Sequence, residues 1–177
     1  MFQFSRRITG TTGKPKGVVI SHRSLYHQVT DLVSSWKYTQ DDVLIHLLPL
    51  HHVHGVVNLL SCCAYVGAQL RFQRFDPMQL WNDWGSSTSD ESLTMPKPNV
   101  IMAVPTIYAK LLEVAENQDK VSMDVISKAV EMTLRPMRLH VSGSAALPVS
   151  VLQRWKSLTG HTLLERYGKL SLFYQTN

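Results

Sequence analysis

The sequence predicts an α/β fold: a parallel sheet layered with helices. Three observations lead there. Strand-like and helix-like segments alternate through most of the chain, which calls for βαβ connections and a parallel sheet with ligands at the carboxyl ends of its strands. Of the 177 residues, 44% are hydrophobic and 18% charged, a composition that can fill a core and argues against wholesale disorder. Neither an internal repeat nor a heptad pattern points to a solenoid or a coiled coil.

Each element has a local reason. Ser21–Trp36 reads as a helix with Ser21 as N-cap and Leu25, Val29, Leu32, Val33 and Trp36 on one face. Val43–Leu48 reads as a short buried strand ended by Pro49, and Gly55–Val66 as a buried helix. Ala68–Phe72 is a second short strand. Pro77 occupies a first helical position and opens a helix to Trp84. The polar, Ser/Thr-rich stretch Gly85–Pro98 reads as a surface loop. A strand over Asn99–Ala103 follows, then a helix over Thr106–Glu116 with Ile107, Leu111, Leu112 and Ala115 aligned, and a further helix over Met123–Leu134. Met137–Val141 is read as a strand. Pro148–Leu158 is a helix closed by Gly160, with Val151, Leu152 and Trp155 turned inward, and Thr162–Glu165 is a last strand.

Charge and composition narrow the function. Eighteen Lys and Arg against 13 Asp and Glu leave a mild net charge of +5, spread without the basic runs of nucleic-acid binding. An anionic small molecule suits such a surface equally. The longest apolar stretch, Val56–Leu70, is interrupted by Asn58, Ser61, Gly67 and Gln69 and falls short of a membrane span. The two cysteines, Cys62 and Cys63, are adjacent in an apolar segment. They read as small buried hydrophobes of a reduced, intracellular protein. The amino terminus MFQFSRRI carries arginines, and no acid occurs before Asp31, a composition compatible with a transit peptide.

Four strings could carry chemistry. In Thr9-Gly10-Thr11-Thr12-Gly13-Lys14-Pro15-Lys16-Gly17, glycines let backbone N–H groups approach an anion, while hydroxyls and lysines bind phosphate oxygens. The spacing is not that of the Walker loop. Taken as a generic Gly-rich string it reads first as a surface loop, but the full nine-residue string is far more specific than that. In Leu47-Leu48-Pro49-Leu50-His51-His52-Val53-His54-Gly55, preceded by His46, clustered histidines suggest a metal. The adjacent pair His51 and His52 diverges in an extended chain, and no acid or cysteine stands nearby, so the reading is no metal site. In Val141-Ser142-Gly143-Ser144-Ala145-Ala146-Leu147-Pro148, small side chains between a strand and a helix leave room for a flat ligand. A hydrolase elbow would need Gly two residues either side of Ser144, where Ser142 and Ala146 stand. In Leu163-Leu164-Glu165-Arg166-Tyr167-Gly168, Tyr167 could stack on a base or sit in the core.

Together and in this order, the four strings resemble the adenylate-forming superfamily of acyl-CoA synthetases, luciferases and peptide-synthetase adenylation domains. The resemblance runs from Thr9 to Gly168 and includes NVIMAVPTIYAKLLE. The wording LPLHHVHGVVN, MAVPTIYAKLLE, VSGSAALP and TGHTLLERYG is most similar to a branch that joins malonate or methylmalonate to CoA. The resemblance implies part of the large amino-terminal domain of such an enzyme, an acid–thiol ligase. Its substrates are a small carboxylate, ATP and CoA, with Mg2+ as metal cofactor. The carboxylate attacks the α-phosphate of ATP to give acyl-adenylate and pyrophosphate, and the CoA thiol then displaces AMP.

By that resemblance Thr9 to Gly17 would hold the β- and γ-phosphates. His52 and Ser144 would border the acyl group. Ala145, Ala146, Tyr167 and Gly168 would lie on the adenine side. A dicarboxylate would need a cationic partner, which the sequence alone does not assign. The animal members of the branch imply the mitochondrial matrix, with the cytoplasm as alternative.

The chain departs from the family in three places. Thr9 replaces a Ser. Ser5, Arg6 and Arg7 stand where an apolar sheet strand enters the loop, which would bury two charges. Lys169-Leu170-Ser171 follows Gly168 where the family continues Met-Thr-Glu, whose Thr and Glu contact the α-phosphate and Mg2+. The ribose-binding Asp, the hinge and the carboxy-terminal domain are not among the 177 residues. Residues 1–177 are therefore expected to be a partial AMP-binding domain that is inactive alone, or a non-catalytic nucleotide-binding or interaction module that associates with a full-length relative.

Overall fold

The computed structural model describes residues 4–8, 16–86, 96–117 and 119–166, with backbone alone for 4–8 and 16–19. The main body is a five-stranded parallel sheet in the order β4-β3-β5-β6-β7: β3 is Val43–His46, β4 Gln69–Phe72, β5 Val100–Ala103, β6 Leu139–Gly143 and β7 Leu164–Arg166. Leu44 pairs with Val100, Val100 with Leu139 and Val141 with Leu164, so every carboxyl end lies along one edge.

The expected elements appear, with shifted ends. Helix α1 (His22–Trp36) starts where Ser21 accepts from the Ser24 N–H at 3.1 Å. Helix α3 (Pro77–Gly85) is capped by Asp76, which accepts from Met78 and Gln79. Helices α4 (Pro105–Glu116), α5 (Met123–Ala129) and α6 (Val149–Thr159) complete the set, and Gly160 closes α6 at φ 83°. Strand β6 runs two residues beyond the expected Met137–Val141. Ser142 and Gly143 pair with Glu165 and Arg166, and a polar Ser and a Gly in sequence gave no sign of that. Of the expected surface loop, residues 87–95 lie outside the described residues.

Sheet alternation assigns the layers. The Met102 sulfur accepts from the Tyr38 hydroxyl at 3.4 Å, so Met102 faces the side where α1 ends. Its neighbour Ile101 points the other way and is the register partner of His140, which meets Trp155 of α6. Helix α1 thus covers one face and α6 the other. The core between these layers includes Trp81, Trp155, Tyr108, Leu44 and Ile101, all fully buried.

Two features were not legible. Phe4–Ile8 (β1) and Lys16–Ile20 (β2) pair antiparallel, Ile8 opposite Lys16, as a separate two-stranded sheet. The expectation of two arginines in a buried strand of the main sheet is corrected accordingly. Antiparallel partners close in sequence pair over a short loop without a crossover, at low closure entropy.

The expected helix Gly55–Val66 is a π-helical stretch, His54–Ser61, continuing into a short α-helix, α2 (Cys62–Val66). In the wide turn, Ser61 Oγ donates to the Val56 carbonyl at 2.8 Å and Cys62 Sγ to the Val57 carbonyl at 3.2 Å, each five residues back. Gly55 lets this stretch pass the preceding loop: a Cβ there would lie 2.7 Å from the Pro49 carbonyl oxygen. Gly55→Ala is accordingly expected to cost about 1–3 kcal/mol by backbone displacement. Urea denaturation would read it, and an unchanged midpoint would contradict the close approach.

Candidate functional site at the carboxyl edge of the sheet

The carboxyl edge gathers polar groups from the π-helical stretch, β6, β7 and the turn after β6. The stretch 49–54 is not extended as the reading of the histidines assumed. His52 N–H donates to the Pro49 carbonyl, and Gly55 and Val56 N–H to the His52 carbonyl, so the chain turns before the π-helical stretch begins. The rings of His51 and His52 lie 4.3 Å apart, both exposed, rather than on opposite sides. His54, two residues on, is 2% exposed.

His54 is the histidine whose ring reaches Ser144, with Nδ1 3.1 Å from Ser144 Oγ. Ser144 has φ 69°, a left-handed conformation costing a non-glycine residue about 1–2 kcal/mol. Gly143 makes the approach of strand and ring close. A Cβ there would stand 3.1 Å from the Arg166 carbonyl oxygen and 3.2 Å from His54 Cε1. Burial above all, then the charges of Arg166 and His46, push His54 down to about 4. It is therefore neutral at pH 7. Arg166, half-buried at the end of β7, has its own value lowered by the same burial. His46, 3% exposed at the end of β3, has Nε2 3.1 Å from the Gly55 carbonyl and lies against Phe72.

The structure places the remaining sequence-predicted residues unevenly. Ser144, Ala145 and Ala146 are exposed in the turn between β6 and α6. Lys16 and Gly17 are the first residues of β2, opposite Ile8 and Arg7. Thr9, Gly10, Thr11, Thr12, Gly13, Lys14 and Pro15 lie outside the described residues, as do Tyr167 and Gly168. His54 and Arg166 were missed as site residues. The signal for Arg166 was partial: an arginine immediately after the expected last strand, Thr162–Glu165, which the structure brings inside β7. His54 differed from His52 only in which side of an unforeseen turn it occupies.

Among the described residues no group of three or more His, Cys, Asp or Glu is placed to hold a metal ion. Burial pushes both cysteine thiols up to about 12, Cys62 next to Cys63 and Cys63 near Asp42, so neither supplies a thiolate at neutral pH. Among the described residues no helix is long and apolar enough to cross a membrane. The edge as built presents one exposed hydroxyl, that of Ser144, backed by the buried neutral ring of His54, with Arg166 half-buried at the end of the neighbouring strand.

The AMP-binding enzyme family matches residues 9–169. The mitochondrial malonate–CoA ligase of Homo sapiens is 49% identical over 163 residues, covering 90% of this chain and 27% of that protein. The malonate–CoA ligase of Arabidopsis thaliana is 44% identical over 163 residues, covering 90% and 26%. The chain thus spans about a quarter of the length of the curated relatives it matches. Among solved structures, apo MatB from Rhodopseudomonas palustris superposes with a TM-score of 0.71 at 32% identity, covering 94% of this chain and 28% of that one. A malonyl-CoA ligase ternary product complex with methylmalonyl-CoA and AMP bound gives 0.72 at 31% identity, covering 94% and 32%.

Proposed function

The chain belongs to the AMP-binding enzyme family, and from that premise we propose that it is the part of a malonate–CoA ligase that receives the dicarboxylate. The supporting observation is the carboxyl edge itself. Ser144 Oγ sits on the buried, neutral His54 ring, and the Arg166 guanidinium lies near enough to depress that ring. A monocarboxylic acid needs one polar end held. Malonate carries a second carboxylate, which in this reading the half-buried Arg166 meets with charge and the Ser144 hydroxyl with a hydrogen bond.

In this reading residues 1–177 are part of an AMP-binding domain. Thr9 to Gly17 hold the β- and γ-phosphates of ATP, and Ala145, Ala146, Tyr167 and Gly168 flank the adenine. The reacting carboxylate forms a bond to the α-phosphorus as the bond to pyrophosphate breaks. The CoA thiol then forms the thioester as AMP leaves. This chain's contribution is to orient the acid: Arg166 and Ser144 fix its distal end so that the other carboxylate faces the α-phosphate. His52, exposed at the turn, is assigned to the border of the reacting carboxylate. The relatives' location makes the mitochondrial matrix the proposed compartment. Mg2+ does not fit the residues described. Among them no group of three or more His, Cys, Asp or Glu is placed to hold a metal ion, and Ser171 occupies the position of the family's metal-binding Glu. No step is routed through it.

Equilibrium dialysis of radiolabelled malonate against the chain with saturating ATP tests this. One malonate per chain, not displaced by acetate, is expected. Arg166→Met is expected to weaken binding about tenfold or more, roughly 1.4 kcal/mol. Malonate held no better than acetate would remove the reading.

A further inference from the structure

We propose that Asn58 is a positioning residue that keeps the proton of His54 on Nδ1, leaving the Ser144 hydroxyl free to donate to an anionic oxygen. The inference rests on the reading that an acid binds at Ser144. Its observations are separate. Asn58 is 1% exposed, and neither its Nδ2 nor its Oδ1 has a hydrogen-bond partner among the described residues. Nor has Nε2 of His54, four residues earlier. Both lie in the π-helical stretch His54–Ser61, where bonds run from residue i to i+5, so residues four apart fall on one side.

A neutral imidazole has one donor and one acceptor, and buried groups of this kind are paired in folded proteins. The two tautomers make Ser144 into different groups. With the proton on Nε2, Nδ1 is an acceptor. Ser144 then gives its only hydrogen to the ring and turns lone pairs toward the ligand, which a carboxylate rejects. With the proton on Nδ1, the ring donates to Ser144 Oγ, and the hydroxyl hydrogen is free to point outward, where Ser144 is exposed.

The second state requires a donor for Nε2. The Asn58 amide NH2 supplies it through one ordered water. The orientation of that amide has a cause. Arg166 stands on the His54 side of β7, since a Cβ on Gly143 would meet both His54 Cε1, at 3.2 Å, and Arg166 Cβ, at 3.5 Å, and its charge is felt at both His54 and Cys62, which flank Asn58 at four residues on either side. A cation there attracts the amide oxygen and leaves the NH2 for the imidazole.

The experiment is long-range 1H–15N correlation NMR of the 15N-labelled chain at pH 7, with His54 assigned by its loss in His54→Gln. The Nδ1–H tautomer is expected in the unsubstituted chain. Asn58→Asp can only accept, and is expected to move the proton to Nε2 and to weaken malonate about tenfold. Asn58→Leu, which keeps the volume, is expected to give a mixture. An Nε2–H tautomer in the unsubstituted chain overturns the proposal even if no variant folds. So does a tautomer that ignores both substitutions. A proton on Nδ1 that moves in Asn58→Asp, in a chain that binds no malonate, upholds the role of Asn58 and removes the malonate reading alone.

Discussion

Acidification from pH 6.5 to about 4 is expected to unfold the chain, because two buried histidines must stay neutral in the fold. His140 is 2% exposed in β6. Trp155 Nε1–H donates to its Nδ1 at 3.1 Å, so its proton is on Nε2, which donates to the Leu134 carbonyl at 3.1 Å. A second proton would set two N–H groups against each other. Burial, followed by the charge of His161 stacked 4.1 Å away, pushes His140 down to about 3, against the lesser pull of the Leu134 carbonyl. His54 is pushed down to about 4.

The unfolded chain binds both protons near the ordinary value of 6.5. The stabilisation is therefore fully present above pH 6.5 and is lost as pH falls toward 4 and 3. Each group contributes a slope of about 1.4 kcal/mol per pH unit in that window, and the two together roughly 2.7. Two such units remove about 5 kcal/mol, the whole of a stability at the lower end of the typical range of about 5–15 kcal/mol. Urea midpoints at pH 7, 6, 5 and 4.5 measure the slope. His140→Gln should reduce it to that of one proton, and a slope below half a proton in the unsubstituted chain would contradict the two buried neutral rings.

Arg138→Met is expected to cost about 3 kcal/mol or more, the loss seen when one partner of a buried ion pair is removed. Asp42 is 2% exposed where β3 begins. Arg138 Nε donates to its Oδ1 at 2.8 Å and Nη2 to its Oδ2 at 2.5 Å, while Asn99 Nδ2 and the Thr39 N–H complete the carboxylate. Asn99 Oδ1 in turn accepts from the Val43 N–H. One carboxylate thus ties together the starts of β3, β5 and β6. Arg138 is a third exposed, which holds the expected cost to the lower end of the range for buried pairs.

Burial alone would raise Asp42, but the Arg138 guanidinium, the Thr39 N–H and Asn99 outweigh it and hold the carboxyl below its ordinary 3.8. That contribution is present above pH 3.8 and lost as pH falls through the lower folded-state value. A double-mutant cycle with Asp42→Asn measures the coupling. If Arg138→Met costs no more with the Asp42 carboxylate present than in the Asp42→Asn background, the pair contributes nothing.

The sequence by itself determined the order of strands and helices from α1 onward and the parallel sheet, but neither the antiparallel pair β1–β2 nor the π-helical form of His54–Ser61. Hydrophobic period, N-caps such as Ser21, and Pro and Gly stops such as Pro77 and Gly160 act within a turn or two, so they are readable from neighbours alone. It also presented the strings that carry the family, because such motifs are residue types in local order. Only the tertiary structure decided which histidine faces the edge. His54 and Ser144 are 90 residues apart, and their meeting at 3.1 Å depends on the Pro49 turn, the π-helical stretch and the close pass at Gly143. Arg166 and Asn58 acquired their surroundings in the same way. So did the Asp42–Arg138 pair, whose members are 96 residues apart. Local pattern sets how the backbone folds on itself over a few residues, whereas the direction and pairing of a buried polar side chain are set by whatever distant strand or helix packs against it.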